Sequence, residues 1–67
     1  MGKDAEKQLM KAEQLYKAMA FKRAAKLFNS AGNNFLKLGD YETAKQCFFN
    51  AAKCAMDEEK YLSGLVF

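Results

Sequence analysis

Leu9, Ala12, Tyr16 and Met19 recur at steps of 3, 4 and 3, the spacing that places residues on one face of an α-helix. Continued along the chain, that stripe meets Arg23, Lys26 and Ser30, all polar, so the face ends near Met19. A second stripe starts at once in another phase: Phe21, Ala24, Phe28, Ala31, Phe35 and Leu38. Extended backwards it meets Lys17, Gln14, Met10 and Lys7, of which only Met10 is apolar. Two stripes that cannot share one straight helix predict a turn around Met19 to Phe21, although no glycine or proline marks it. The alternative is one long helix from Asp4 to Leu38, which makes the fold a two-helix hairpin. The next break is explicit in "KLGDYET", where Gly39 suits the left-handed residue that ends a helix and Asp40 suits an N-cap. A third helix carries Tyr41, Ala44, Cys47, Phe48, Ala51 and Ala55 on its apolar side. In "MDEEKY", Asp57 reads as a cap or turn residue, with two glutamates behind it at the positive end of a fourth, short helix bearing Tyr61, Leu62, Leu65 and Val66. With Asp4 as the cap of the first helix, the predicted elements are about 4–18, 21–38, 41–56 and 58–66.

These elements repeat. A shift of twenty residues superposes Phe21 on Tyr41 on Tyr61, Ala24 on Ala44 on Gly64, Phe28 on Phe48, and Ala31 on Ala51. The same shift places Leu15 on Phe35, and Ala12 on Gly32 on Ala52. Each unit is one helix and one turn, with small residues at contact points that let neighbouring helices approach and aromatic rings supplying the buried area.

Composition agrees with an all-α fold: alanine is abundant, isoleucine and proline are absent, and Val66 is the only valine. Sixty-seven residues make a single domain, 1–67, in the size range where one core gives marginal stability unless helices pack well or copies associate. Eleven Lys or Arg against eight Asp or Glu give a net charge of +3, spread along the chain. That balance leans toward acidic protein partners and, without a basic stripe, away from nucleic acid. The longest apolar run, Ala18 to Phe21, cannot span a bilayer, and "MGKDAEKQ" lacks the core of a signal peptide, so a cytoplasmic location is expected. The opening Met-Gly is no myristoylation signal, since Glu6 stands where that motif needs Ser or Thr.

Chemistry-bearing constellations are sparse. Cys47 and Cys54 share a helix face but sit roughly 10 Å apart along it, beyond disulfide reach. Two thiols without a histidine fall short of a structural zinc set, so they are expected to be buried small hydrophobes, and no metal or cofactor is expected. With no histidine and no glycine-rich phosphate loop, an enzyme is not expected.

The stretch "AKLFNSAGNNFLKLGDYETAKQCFFNAAKC" resembles the tetratricopeptide repeat (TPR). The family's large residue of helix A falls on Phe28, its small pair on Ala31 and Gly32, its turn on Gly39, Asp40 and Tyr41, and the small-aromatic-small series of helix B on Ala44, Phe48 and Ala51. The family's leucine before glycine is Ala31 here, and its closing proline falls near Met56. The "AGN" and "CF..AA" elements are also similar to the soluble NSF attachment proteins (SNAPs). The resemblance implies a short solenoid of antiparallel helices that binds a partner segment, acting as a scaffold or adaptor. Its ligand-facing side falls on Lys26, Asn29, Asn33, Leu36 and Lys37, residues that also lie off the apolar stripe and form a mostly polar ribbon, which Asn50 and Lys53 extend. The apolar end "YLSGLVF" carries a second expectation: Tyr61, Leu62, Leu65, Val66 and Phe67 would be covered by a second copy or by further repeats of a longer array. A structural element that self-associates through apolar faces is therefore the competing reading to a peptide-binding module.

Overall fold

The computed structural model describes residues 2–64 and is all-helical, with three helices and, among the described residues, no strand. Helix α1 spans Gly2–Lys17, α2 spans Phe21–Lys37 and α3 spans Tyr41–Ser63. The single long first helix is thereby excluded, because the backbone leaves the helical path between Lys17 and Phe21. Asp4 lies inside the first turn of α1 rather than capping it, where its carboxylate still meets the positive end of the helix dipole.

The two turns are copies of one another. At the first, the Met19 amide donates to Tyr16 O at 3.0 Å and the Ala20 amide to Leu15 O at 2.9 Å. At the second, Gly39 donates to Leu36 O at 3.0 Å and Asp40 to Phe35 O at 2.9 Å. Both are Schellman motifs, which satisfy carbonyls that the last helical turn leaves open and require a left-handed residue at their centre. Gly39 meets that requirement freely at φ 82°, while Met19 adopts it at φ 64° against the steric preference of a side chain. The caps that follow have matching backbones, with φ −86° and ψ 68° at Ala20 against φ −90° and ψ 79° at Asp40. Only Asp40 caps with its side chain, its Oδ1 accepting from the Thr43 amide at 3.2 Å.

The third expected turn does not form. α3 runs unbroken through Asp57 to Ser63, so the fourth helix at 58–66 is not a separate element. The position equivalent to Met19 and Gly39 is Glu59, within a run of good helix formers. A left-handed non-glycine residue persists only where tertiary packing offsets its strain, as the α1–α2 pairing does at Met19. The helix ends instead at Gly64, left-handed at φ 70°. Residues 65–67, and with them the expectations placed on Leu65, Val66 and Phe67, lie outside the described residues.

The core runs along α2, the central helix. One cluster joins Ala12 of α1, Phe21, Ala24 and Phe28 of α2, and Ala51 and Cys54 of α3. A second joins Ala5, Ala31, Phe35, Ala44 and Cys47. Phe28, 2 % exposed, anchors the first, and burial of such a ring stabilises by about 1.5–3 kcal/mol. The α2–α3 approach is close enough at Gly32 that a Cβ there would lie 2.8 Å from Phe48 Cε1. The shared positions of the repeat are therefore contact points, with one consistent departure. Phe21 is buried, whereas its equivalents Tyr41 and Tyr61 are exposed, because α3 is the edge helix among the described residues. Ala52 is exposed where Ala12 and Gly32 are buried, for the same reason. The principal axes measure 39 × 17 × 14 Å, and none of the described helices is long and apolar enough to cross a membrane.

Candidate functional site

α1 and α3 both pack on α2 and leave a cleft of 260 Å³ between them, lined by Glu13, Tyr16, Lys17, Phe28, Asn50 and Lys53. The cleft exists because the stretches where α1 and α3 would meet carry small core residues, Ala12 and Ala51, which seat each helix on α2 without filling the space above it. Phe28 forms an apolar floor. Lys53 holds its Nζ 5.6 Å from the centroid of the Tyr16 ring, within cation–π range.

Tyr16 ties the two walls together. Its hydroxyl donates to Asp57 Oδ2 on α3, and its ring meets Phe21 edge-on at a centroid separation of 5.6 Å. The hydrogen bond to Asp57, then burial, then the carboxylate's charge raise the Tyr16 pKa above the ordinary phenol value, so the hydroxyl stays a donor. The expected capping role of Asp57 is thus replaced by a tertiary one. On the other flank of α2, Asn34 Nδ2 donates to Gln8 Oε1 at 2.6 Å, a polar link between α1 and α2.

The residues expected to bind a partner are divided between two surfaces. Lys26, Asn29, Asn33 and Lys37 are exposed on α2, off the face that packs on α1 and α3, and form the polar ribbon that their spacing implied. Asn50 and Lys53 do not extend that ribbon; they line the cleft across the molecule. Of the expected self-association residues, Tyr61 and Leu62 are exposed, and Tyr61 also rests edge-on against Phe21 at 6.3 Å between centroids. Glu13, Tyr16, Lys17 and Phe28 were not legible as site residues. Tyr16 and Phe28 sit on apolar stripes that read as core, and nothing local marks a tyrosine that meets an aspartate forty-one residues on.

Both thiols are buried and free, Cys47 and Cys54 each 0 % exposed. Burial raises both pKa values, with Asp40 adding to the effect at Cys47 and Asp57 at Cys54, so the sulfurs are held as neutral packing groups. No family model matches the chain, and no curated protein or solved structure matches it either.

Proposed function

We propose that this chain is a non-catalytic protein-interaction module of the TPR-like kind, and that it takes a short peptide segment in the cleft between α1 and α3. The cleft itself carries the proposal. At 260 Å³ it falls below the usual range of small-molecule pockets, about 300–1,000 Å³, but suits one or two side chains of a partner. An apolar floor at Phe28 offers an anchor point. The amide of Asn50 can donate to and accept from a peptide backbone, and Lys17 and Lys53 outnumber Glu13 on the walls, which favours an acidic neighbour to the anchor. The ribbon of Lys26, Asn29, Asn33 and Lys37 is a solvated face that only Lys26 joins to a depression, an open one shared with Ala25 and Ala55, and it serves as the control surface.

The test selects binders for the intact chain from a displayed library of random peptides and measures their affinity by fluorescence anisotropy. Lys53→Glu combined with Asn50→Asp is expected to weaken the selected peptides about tenfold or more, and Lys26→Glu with Asn33→Glu to leave them unchanged. The reverse pattern would move the groove to the outer face of α2. A library that yields no saturable binder would remove the module reading altogether.

A further inference from the structure

The outer face of α3 carries a surface that adjoins the cleft, sharing only the rim residues Asn50 and Lys53 with it. Phe21, Ala25 and Gly32 lie on the side of α2 that receives α3: Phe21 meets Tyr61, Ala25 shares a depression with Ala55, and Gly32 touches Phe48. Twenty residues on, the equivalent positions of α3 are Tyr41, Lys45 and Ala52, all exposed and with no helix against them among the described residues. Phe49 and Met56 stand beside them, 70 % and 60 % exposed. Phe49 forms a ridge between two shallow depressions of 440 and 380 Å³, the second of which contains Ala52 and Met56. This face repeats part of the form of a helix-receiving surface, with Ala52 for close approach and apolar knobs beside hollows, and with Lys45 in place of the small Ala25.

Two features say what covers it. Head-to-tail addition of another copy would dock its α1 here through Lys7, Lys11 and Gln14, the positions that correspond to Cys47, Ala51 and Cys54 of α3. Those polar side chains are exposed in this chain, and burying them without partners is unfavourable. The face is, however, complementary to itself. Lys45, Ala52 and Glu59 are spaced seven apart and therefore form a row along α3 with opposite charges equidistant from a small central residue. In an antiparallel pair with its two-fold axis at Ala52, Lys45 meets Glu59 of the partner subunit twice, and the Phe49 ridge enters the hollow beside Met56 of the partner subunit. A parallel pair would oppose Lys45 to Lys45 and Glu59 to Glu59. Consecutive helices within the chain already pack antiparallel, so such a pair continues the internal geometry.

We infer that the chain forms an isologous dimer in which the outer faces of two α3 helices pack antiparallel about Ala52. The experiment uses the full chain in three steps, with circular dichroism confirming helicity throughout. Sedimentation equilibrium is expected to show the mass rising from monomer to dimer with concentration, and Phe49→Glu to weaken the dimer about thirtyfold. Lys45→Glu and Glu59→Lys are each expected to weaken it several-fold, and the two together to restore it, because the pairing is between copies. Ala52→Cys is expected to give a covalent dimer on oxidation, which the buried Cys47 and Cys54 of the parent chain do not. A monomer up to millimolar concentration overturns the inference. So does a dimer indifferent to Phe49→Glu, an unrestored double charge swap, or the failure of Ala52→Cys to cross-link. Retention of peptide binding by Phe49→Glu separates this surface from the cleft.

Discussion

Gly32 holds α2 against the Phe48 ring of α3, and its hydrogen is the side chain the contact needs. In an exposed helix, Gly→Ala adds about 1 kcal/mol of stability through helix propensity. At position 32 the new methyl group would press on Phe48 Cε1 and Cζ at 2.8 and 2.9 Å, and overpacking of that kind costs about 1–3 kcal/mol. Gly32→Ala is therefore expected to lower stability by about 1 kcal/mol in urea denaturation. In a Phe48→Ala background, with the ring gone, the same change is expected to raise it. A gain in both backgrounds would show that the ring yields without strain and that the close approach is unimportant. The recurrence of Ala12, Gly32 and Ala52 made a small residue here legible from the chain alone, but not which neighbour demands it.

At the scale of the element, the two turns show how much of a fold is local. "LGD" announces the second turn through the left-handed glycine and the capping carboxylate, and the structure uses both. The first turn has the same hydrogen bonds with Met19 and Ala20 in those places, so it forms despite its residues. Only the change of phase between two apolar stripes revealed it. α2 also begins without a side-chain cap and with no acidic residue in its first turn, where Lys22 and Arg23 face the positive end of the dipole. Ala20→Asp copies the second cap onto the first, its carboxylate placed to accept from the Arg23 amide, and is expected to stabilise by about 1 kcal/mol. Asp40→Ala is expected to cost about the same. Thermal melts of the two variants check the pair, and equal melting temperatures would mean that capping has no net effect in these turns.

Across the whole molecule, the helices are held by apolar burial plus a few side-chain ties, of which Tyr16 to Asp57 joins α1 to α3 and carries a titratable donor, and that arrangement sets the pH response. Tyr16, Cys47 and Cys54 all have pKa values raised in the folded state. The unfolded chain therefore loses these protons first as pH rises, so it binds fewer protons than the native state and stability falls. Their contribution is fully present below the ordinary thiol and phenol values, hence at neutral pH. It declines from about pH 8.5 for the thiols and about pH 10 for the phenol. Denaturation midpoints are expected to be flat near neutrality and to drop on the alkaline side. Tyr16→Phe is expected to remove the phenol's share of that drop and leave the thiols' share. An alkaline slope identical in the two proteins would mean that the Tyr16 hydroxyl is not held by Asp57.

The chain by itself determines that there are helices, where their apolar faces lie, and that they recur every twenty residues, because propensity, spacing and capping act within a turn or two of the residues that carry them. Burial is a property of neighbours. Phe21 and Tyr41 occupy equivalent positions, yet one is core and the other surface, since one faces α3 and the other faces no helix among the described residues. The same dependence on neighbours decided that α3 runs on through Glu59, where, among the described residues, no following helix offsets the strain of a left-handed residue. It also joined Tyr16 to Asp57 and separated Asn50 and Lys53 from the ribbon of Lys26 and Asn33, because which side chains meet across a cleft is settled by three helices packing at once.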